Sequence, residues 1–384
     1  MKKQLSLFLA FMVMLGQLQA LAQNAPQAFN LQQSIDYALK NRYSLQMARN
    51  QQEIDKAKVG EIRAMGLPQI NVAADLGKNV IQQKSFLPAE FFQDPDDPNS
   101  PPAGTFVPVV FTPKYNGNAT LTASQLLFDG SYLIGLKAAK TYTELSQKST
   151  TQSEIEVAEQ VTKAYYSVLV SRERMDLLNQ NLSRLDTLLK QTQVMFDNGV
   201  AEKLDVDRLR VSFNNLNVEK QKTERLLKLG EDLLKFQMGM DQKEQLILTD
   251  GLSEVQVDMA KADQNGFNYG NRIEYSILET QRDLAMLNLR NIRSGYLPKL
   301  YLNGRYGYIA ANNEFSEISR SSNWLNFAYV GLGLQVPVFD GLRKHYQVQQ
   351  SRLTLENTKL GFESLKQGID LELEQATTDL TNSM

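Results

Sequence analysis

The sequence predicts a mixed α and β membrane protein in which a few β-strands per chain are joined to very long helices. Three observations predict it. An N-terminal leader is followed by no further segment of roughly 18 consecutive apolar residues, so no membrane helix is expected after it. A helix–strand–strand–helix unit occurs twice. Between and after its strands the apolar period changes from two to the spacing of a helix.

The leader comes first. Lys2 and Lys3 precede an apolar run from Leu5 to Leu15, and Ala20-Leu21-Ala22 forms a small-residue cleavage pattern. Residues 1–22 are therefore read as a secretory signal peptide, with the mature chain starting near Gln23. A chain that leaves the cytoplasm without a membrane helix is periplasmic, secreted, or inserted in the outer membrane as strands.

Composition narrows the function classes. The chain has 384 residues, 41 basic and 43 acidic, with a net charge of -2. That balance gives no basic footprint for nucleic acid, and none is expected as a partner. There are no cysteines and a single histidine, His345. Disulfides, thiolate metal sites and a cysteine nucleophile are excluded, and no metal or cofactor is expected. His345 follows Phe-Asp-Gly on a helix and reads as a surface residue. No acid–base or nucleophile constellation can be assembled, so no enzyme and no catalytic residue is expected. Gly331-x-Gly333 sits inside a strand and opens no helix, which excludes a nucleotide-binding turn.

The duplication organises the rest. Asn41-Arg42 recurs as Asn271-Arg272 and Leu67-Pro68 as Leu297-Pro298, both displaced by 230 residues. Leu127-Phe128-Asp129-Gly130 recurs as Val338-Phe339-Asp340-Gly341, displaced by 211, so the first copy carries 19 extra residues between its Leu-Pro and its Phe-Asp-Gly. Residues 23–67 form the first copy's N-terminal helix, with Leu31, Ile35, Ala38 and Leu39 at helical spacing. Residues 266–297 form its counterpart. Each helix ends at Leu-Pro, because proline disfavours helical geometry at the residue before it.

Two β-hairpins follow, at 68–130 and 298–341. In the first, Ile70, Val72, Ala74 and Leu76 alternate with polar or small residues, and Ala119, Leu121 and Ala123 do so in the return strand. In the second, Leu300 and Leu302, then Val330, Leu332, Leu334 and Val336, keep the same phase. Strands of roughly 9–11 residues with one apolar and one small or polar face carry the transmembrane β-barrel signature. Ile70, Val72, Leu76, Leu121, Leu300, Leu302, Val330, Leu332 and Leu334 are the expected lipid-facing set. Between the first two strands, Lys84 to Pro113 holds seven of the chain's 11 prolines. It is expected to be an extracellular loop without a ladder. Trp324, Phe327 and Tyr329 fit either an aromatic girdle or ordinary strand packing.

Residues 131–240 read as one long helical hairpin. From Ser131 to Asp197 the only glycine is Gly135 and there is no proline. Leu178, Leu182, Leu185, Leu189, Thr192 and Phe196 form a heptad seam. Asn198-Gly199 breaks the helix, with the tip near 198–203, and a return seam starts at Leu204, Leu209 and Phe213. Residues 241–265 are an irregular connection between the copies. Residues 342–384 begin a second long helix.

Four strands cannot close a barrel, whose practical minimum is about eight. An open sheet in lipid would expose unsatisfied backbone, so the chain is expected to oligomerise through strand pairing. Three copies would give twelve strands and a lumen.

The duplicated unit, Leu-Pro before each outgoing strand, Phe-Asp-Gly after each returning strand, and the segment Met195-Phe196-Asp197-Asn198-Gly199-Val200-Ala201-Glu202-Lys203-Leu204-Asp205-Val206 together resemble the TolC outer membrane efflux protein family. The resemblance departs at Phe196, where the family pattern has tyrosine. It also runs out at Met384, since the first copy mapped forward would place a second tip near 410 and a return helix ending near 451. The resemblance implies a homotrimer with a twelve-stranded outer-membrane barrel and a periplasmic α-barrel. It implies docking onto a periplasmic adaptor (membrane fusion) protein and an inner-membrane pump. Its implied function is passive export of drugs, metals or other toxic small molecules. A type I protein-secretion duct shares the architecture, and a structural coiled-coil envelope protein is the alternative from another class. On the resemblance, Gly199, Val200, Leu204 and Asp205 are the expected adaptor contacts. Asp197, Asp205 and Asp207 are either an acidic ring that gates or binds cations, or ordinary helix-terminus charge.

Overall fold

The computed structural model describes residues 27–94, 97, 99–252 and 267–383. The signal-peptide reading of residues 1–22 lies outside them. The chain divides into two units.

The first unit is helical and, among the described residues, holds 27–55, 143–252, 267–280 and 361–383. It opens on a three-residue strand, β1 (Gln27–Phe29). Helices α1 (Leu31–Asn41) and α2, which begins at Tyr43 and ends at Ala64, follow. Asn30 starts α1 with a capping box, its side chain accepting from the Gln33 backbone while Gln33 reaches back to the Asn30 N–H. The single helix expected over 23–67 is thus a strand and two helices. The break falls at Arg42, whose backbone is extended (φ -63°, ψ 125°). Arg42 donates to the Gln237 carbonyl at 3.1 Å and to Gln160 at 2.9 Å, satisfying groups far along the chain.

The repeated Asn-Arg does the same work in the second copy. A short 3-10 turn, Tyr269–Asn271, ends at Arg272, again extended (φ -79°, ψ 133°). Arg272 then pairs with Glu372 at 2.8 Å. The helix expected over 266–297 begins only after this turn, as α5 (Ile273–Ser294).

The long hairpin is α3 (Gly130–Asp197) and α4 (Lys203–Met238). Over the last third of α3 the heptad residues form its less exposed line, with Leu178 and Leu182 buried and Leu185, Leu189, Thr192 and Phe196 half-buried. The return seam differs from expectation at its start. Val206 is 3% exposed and Leu204 is 51% exposed. The helix begins at Lys203, so the heptad phase runs Val206, Leu209, Phe213, Leu216 and leaves Leu204 outside.

The core of this unit joins Phe29, Ala38, Leu45, Val161, Tyr165, Val168, Leu234, Met238 and Leu248. Tyr165 is fully buried, and its hydroxyl donates to Asp250 at 2.8 Å. Asp250 also accepts from the Leu31 N–H at 2.9 Å. Burial first, and Asp250 second, push the Tyr165 phenol well above its ordinary value. The connection read as irregular contains β6 (Leu246–Leu248), which pairs in parallel with β1. Gly239 closes α4 in the left-handed region (φ +73°), and a Cβ there would stand 2.9 Å from the Arg42 backbone.

The second unit, residues 56–142 and 281–360, carries the sheet. Strands β2 (Gln69–Lys78), β5 (Tyr115–Phe128), β7 (Lys299–Asn312) and β8 (Leu325–Gln335) form one antiparallel sheet in the order β2-β5-β7-β8. The expected bare loop is corrected: β3 (Lys84–Pro88) and β4 (Phe106–Val110) pair there as a separate hairpin. Both are edge strands, where proline costs no ladder bond, and Pro88 and Pro108 lie within them. A short helix, α6 (Phe315–Ile318), interrupts the second loop. The second long helix is α7 (Arg343–Ser383).

The strand-to-helix turns are held by charge. Asp129 accepts from the Ser131 N–H at 2.7 Å and from Lys299 at 2.8 Å. In the second copy Asp340 pairs with Lys344 at 3.3 Å.

Candidate functional site

Two surfaces carry the candidate site residues: one face of the sheet and the tip of the hairpin.

On the sheet, register decides which side chains share a face. Val72 faces Leu121, Leu121 faces Tyr306, Leu302 faces Leu332 and Leu300 faces Leu334. Because side chains alternate along each strand, Ile70, Val72, Leu76, Leu121, Leu300, Leu302, Val330, Leu332 and Leu334 all fall on one face. All but the half-buried Leu300 are exposed. The opposite face holds Asn71, Asp75, Asn118, Thr120, Thr122, Asn303 and Arg305. Among the described residues no layer covers this apolar face, and an exposed apolar surface of this extent on a sheet has the pattern of a transmembrane strand set.

The three aromatics offered for a girdle or for strand packing divide between the two sides of the sheet. Trp324 donates its indole N–H to the Ile318 carbonyl at 2.8 Å, and its ring lies over Gly117. It ties the loop to the apolar face of β5. Phe327 and Tyr329 pair with Gly307 and Arg305 and so lie on the polar face.

At the tip, α3 ends in a Schellman turn. The Val200 N–H donates to the Met195 carbonyl at 2.8 Å, and the Gly199 N–H to Phe196 at 2.9 Å. Gly199 is left-handed (φ +76°) with nothing within 4 Å of a Cβ built there. The turn therefore needs glycine for its backbone and leaves open space around it. Gly199, Val200, Leu204 and Asp205 are all exposed and lie within this turn and the first turn of α4. Asp205 sits in that first turn, where the helix dipole favours a carboxylate.

The three expected acidic residues do not converge within the chain. Asp197 accepts from Gln193 at 2.9 Å, and Asp205 stands 3.9 Å from Arg208. Among the described residues no group of His, Cys, Asp or Glu is arranged to hold a metal ion. His345 is exposed and stacks edge-on with Tyr346.

A sheet with an exposed apolar face, continued by a long helical hairpin and a further long helix, defines a subunit of a β-barrel membrane channel with a helical extension. Residues 34–229, just over half of the chain, match the family model described as outer membrane efflux protein. The chain belongs to that family. It is an outer-membrane efflux channel protein, with its strands in the outer membrane and its helices as a periplasmic extension. Outer membrane protein TolC of Vibrio cholerae is 24% identical over 350 residues, 89% of this chain and 70% of the relative. Two solved channels share the fold. CusC matches with a TM-score of 0.68 at 14% identity, over 93% of this chain and 78% of that one. CmeC of Campylobacter jejuni matches with a TM-score of 0.66 at 15% identity, over 88% and 67%.

Proposed function

We propose that the chain is a passive conduit, without catalysis, for small toxic molecules such as drugs or metals in a tripartite export system. Three copies close the barrel: four strands per chain give twelve, enough to enclose a lumen lined by the polar face. The nine apolar residues named above face lipid. The observation that carries the reading is the four-stranded sheet with one apolar and one polar face in continuous register.

The tip docks onto the adaptor, which in turn couples the duct to an inner-membrane pump. Gly199, Val200, Leu204 and Asp205 supply that contact. The support is their exposure on a turn whose backbone is already satisfied: Gly199 holds the turn, and the side chains of Val200, Leu204 and Asp205 project from it without a buried role in the fold. Replacing Gly199 with Arg and Val200 with Asp should abolish export in a complemented deletion strain while the trimer persists in the outer membrane. Unimpaired export would defeat the proposed contact.

A further inference from the structure

We propose that Lys78 and Lys114, both held against the Tyr115 ring at the outer end of the apolar face, bind the phosphorylated headgroup of an outer-leaflet glycolipid. The proposal rests on the lipid-facing reading of that face and adds a specific ligand to it.

Register sets the height of the site. β2 follows α2 and β5 leads into α3, so Lys78 and Tyr115 occupy the strand ends away from both helices. With the helices periplasmic, those ends are at the cell surface. Lys78 continues the alternation of Ile70, Val72 and Leu76. It faces Tyr115, which in turn faces Asn312. These three residues therefore close the apolar face at its outer edge. On β7 the same face runs from Leu300 to Ala310. That length is roughly 34 Å of strand, or about 26 Å of height at the tilt usual in barrels, against an apolar band about 25 Å tall. The row of Lys78, Tyr115 and Asn312 lies one alternation beyond it, at the level of headgroups.

The chemistry of the face changes along the same direction. Its inner end is aliphatic, with Ile70, Leu300, Leu302, Leu332 and Leu334. Toward the outer end it becomes aromatic. Tyr306 and Tyr308 share a hydroxyl hydrogen bond at 3.0 Å, Trp324 lies over Gly117, and Phe315 meets Tyr115 edge-on at 5.6 Å. Tyrosine and tryptophan favour the boundary between hydrocarbon and water, which puts that boundary just below the two lysines.

The lysine ammonium groups stand 5.9 Å (Lys78) and 5.8 Å (Lys114) from the centre of the Tyr115 ring, and both side chains are exposed. Among the described residues neither pairs with a carboxylate. Glu317 of the adjoining loop is engaged by Arg320 at 2.8 Å and by Asn323. Two like charges thus share one aromatic ring without a counter-ion, and a phosphate monoester supplies the missing negative charge. A cleft of about 660 Å³ opens beside Lys114, lined in part by Gln82, Thr112, Asn312 and Asn313. Asn313 accepts from the Lys114 N–H at 3.1 Å through its amide oxygen, which leaves its own N–H groups as donors to a headgroup. A lipid is favoured over a free anion because the acyl chains of a lipid bound here would lie on the apolar face directly below.

The test titrates full-length protein in detergent with purified lipid A, phosphorylated or dephosphorylated, and counts bound lipid by native mass spectrometry. The wild type should bind the phosphorylated form at least roughly tenfold more tightly, the scale expected for two lysines at a charged membrane surface. K78Q with K114Q should lose that preference. K78R with K114R keeps both charges and should retain it, as should K137Q with K140Q, an equal loss of charge on α3. Equal affinity of the wild type for both lipids overturns the site. So does an unchanged preference in K78Q with K114Q, or a lost preference in either control. Displacement of lipid A by millimolar inorganic phosphate would make the ligand a free anion and overturn the lipid assignment. A nitroxide at Leu121 in reconstituted protein separates the two levels. A label shielded from a water-soluble nickel chelate, with no preference for phosphate, defeats the headgroup site alone; a label open to the chelate defeats the lipid-facing reading with it.

Discussion

Val206 and Leu204 sit two residues apart near the tip, are both aliphatic, and face opposite ways. Val206 is 3% exposed and Leu204 51% exposed. Val206→Ala removes two buried carbons, worth about 1.6 kcal/mol of transfer free energy, and the cavity left behind raises the cost to roughly 2 kcal/mol. Leu204→Ala removes more carbon from a half-exposed site, and its cost should stay under about 1 kcal/mol. If Leu204 contacts the adaptor, the functional order reverses. Leu204→Ala lowers export at unchanged tip stability, whereas Val206→Ala loosens the tip. Hydrogen exchange of the amides from Leu189 to Leu216 in the detergent-solubilised protein measures local opening. Drug-susceptibility of a complemented deletion strain measures export. Equal loss of protection in the two variants would refute the assigned helix phase. Full export by Leu204→Ala at normal protection would refute its role at the contact.

Other outcomes follow from the same geometry. Tyr165→Phe removes a buried donor to Asp250 and should cost the helical unit about 1–2 kcal/mol, read as a lower midpoint in urea. Because the folded-state value of Tyr165 is raised above the ordinary 10.0, its contribution is complete below that pH and is lost as pH rises further. The wild-type chain should lose stability there more steeply than Tyr165→Phe, and parallel pH profiles would count against the assigned hydrogen bond. Trp324 is the chain's only tryptophan, so its fluorescence reports one site. A Cβ at Gly117 would stand 2.7 Å from its ring, so Gly117→Val should displace the indole and shift its emission to the red. Gly239→Ala forces both a left-handed alanine and a backbone contact at Arg42, and should destabilise the helical unit by about 2 kcal/mol, read as a lower unfolding midpoint in urea. Gly199→Ala meets only the first cost, about 1 kcal/mol, because its surroundings are open.

What could be read from the chain followed from period and repetition. The strand faces were legible because alternation at Val72, Leu121, Leu302 and Leu332 is local and repeated. The hairpin was legible because its seam and Asn198-Gly199 are both local signals. Pairing of β1 with β6 was not legible: three residues carry no period, and their partners lie more than two hundred positions away. The β3 and β4 hairpin was hidden by proline, which forbids a central strand but not an edge. The phase error at Leu204 came from a helix that starts at Lys203, so that the first apolar residue of the run precedes the seam. The extended backbone at Arg42 had no propensity signal of its own. Its recurrence at Arg272 was visible as a repeat before its use, reaching from one helix to the next, was visible as structure.

The central claim is that the sheet lies in the outer membrane with one face in lipid and the other toward a lumen. Strand β5 tests it most directly, since it is flanked on both sides within the chain. Nitroxide labels placed one at a time from Asn118 to Ser124 in reconstituted protein would be read for collision with oxygen and with a water-soluble nickel chelate. Labels at 119, 121 and 123 should be accessible to oxygen and shielded from nickel, and those at 118, 120, 122 and 124 should show the reverse. Uniform nickel accessibility along the strand would contradict the account.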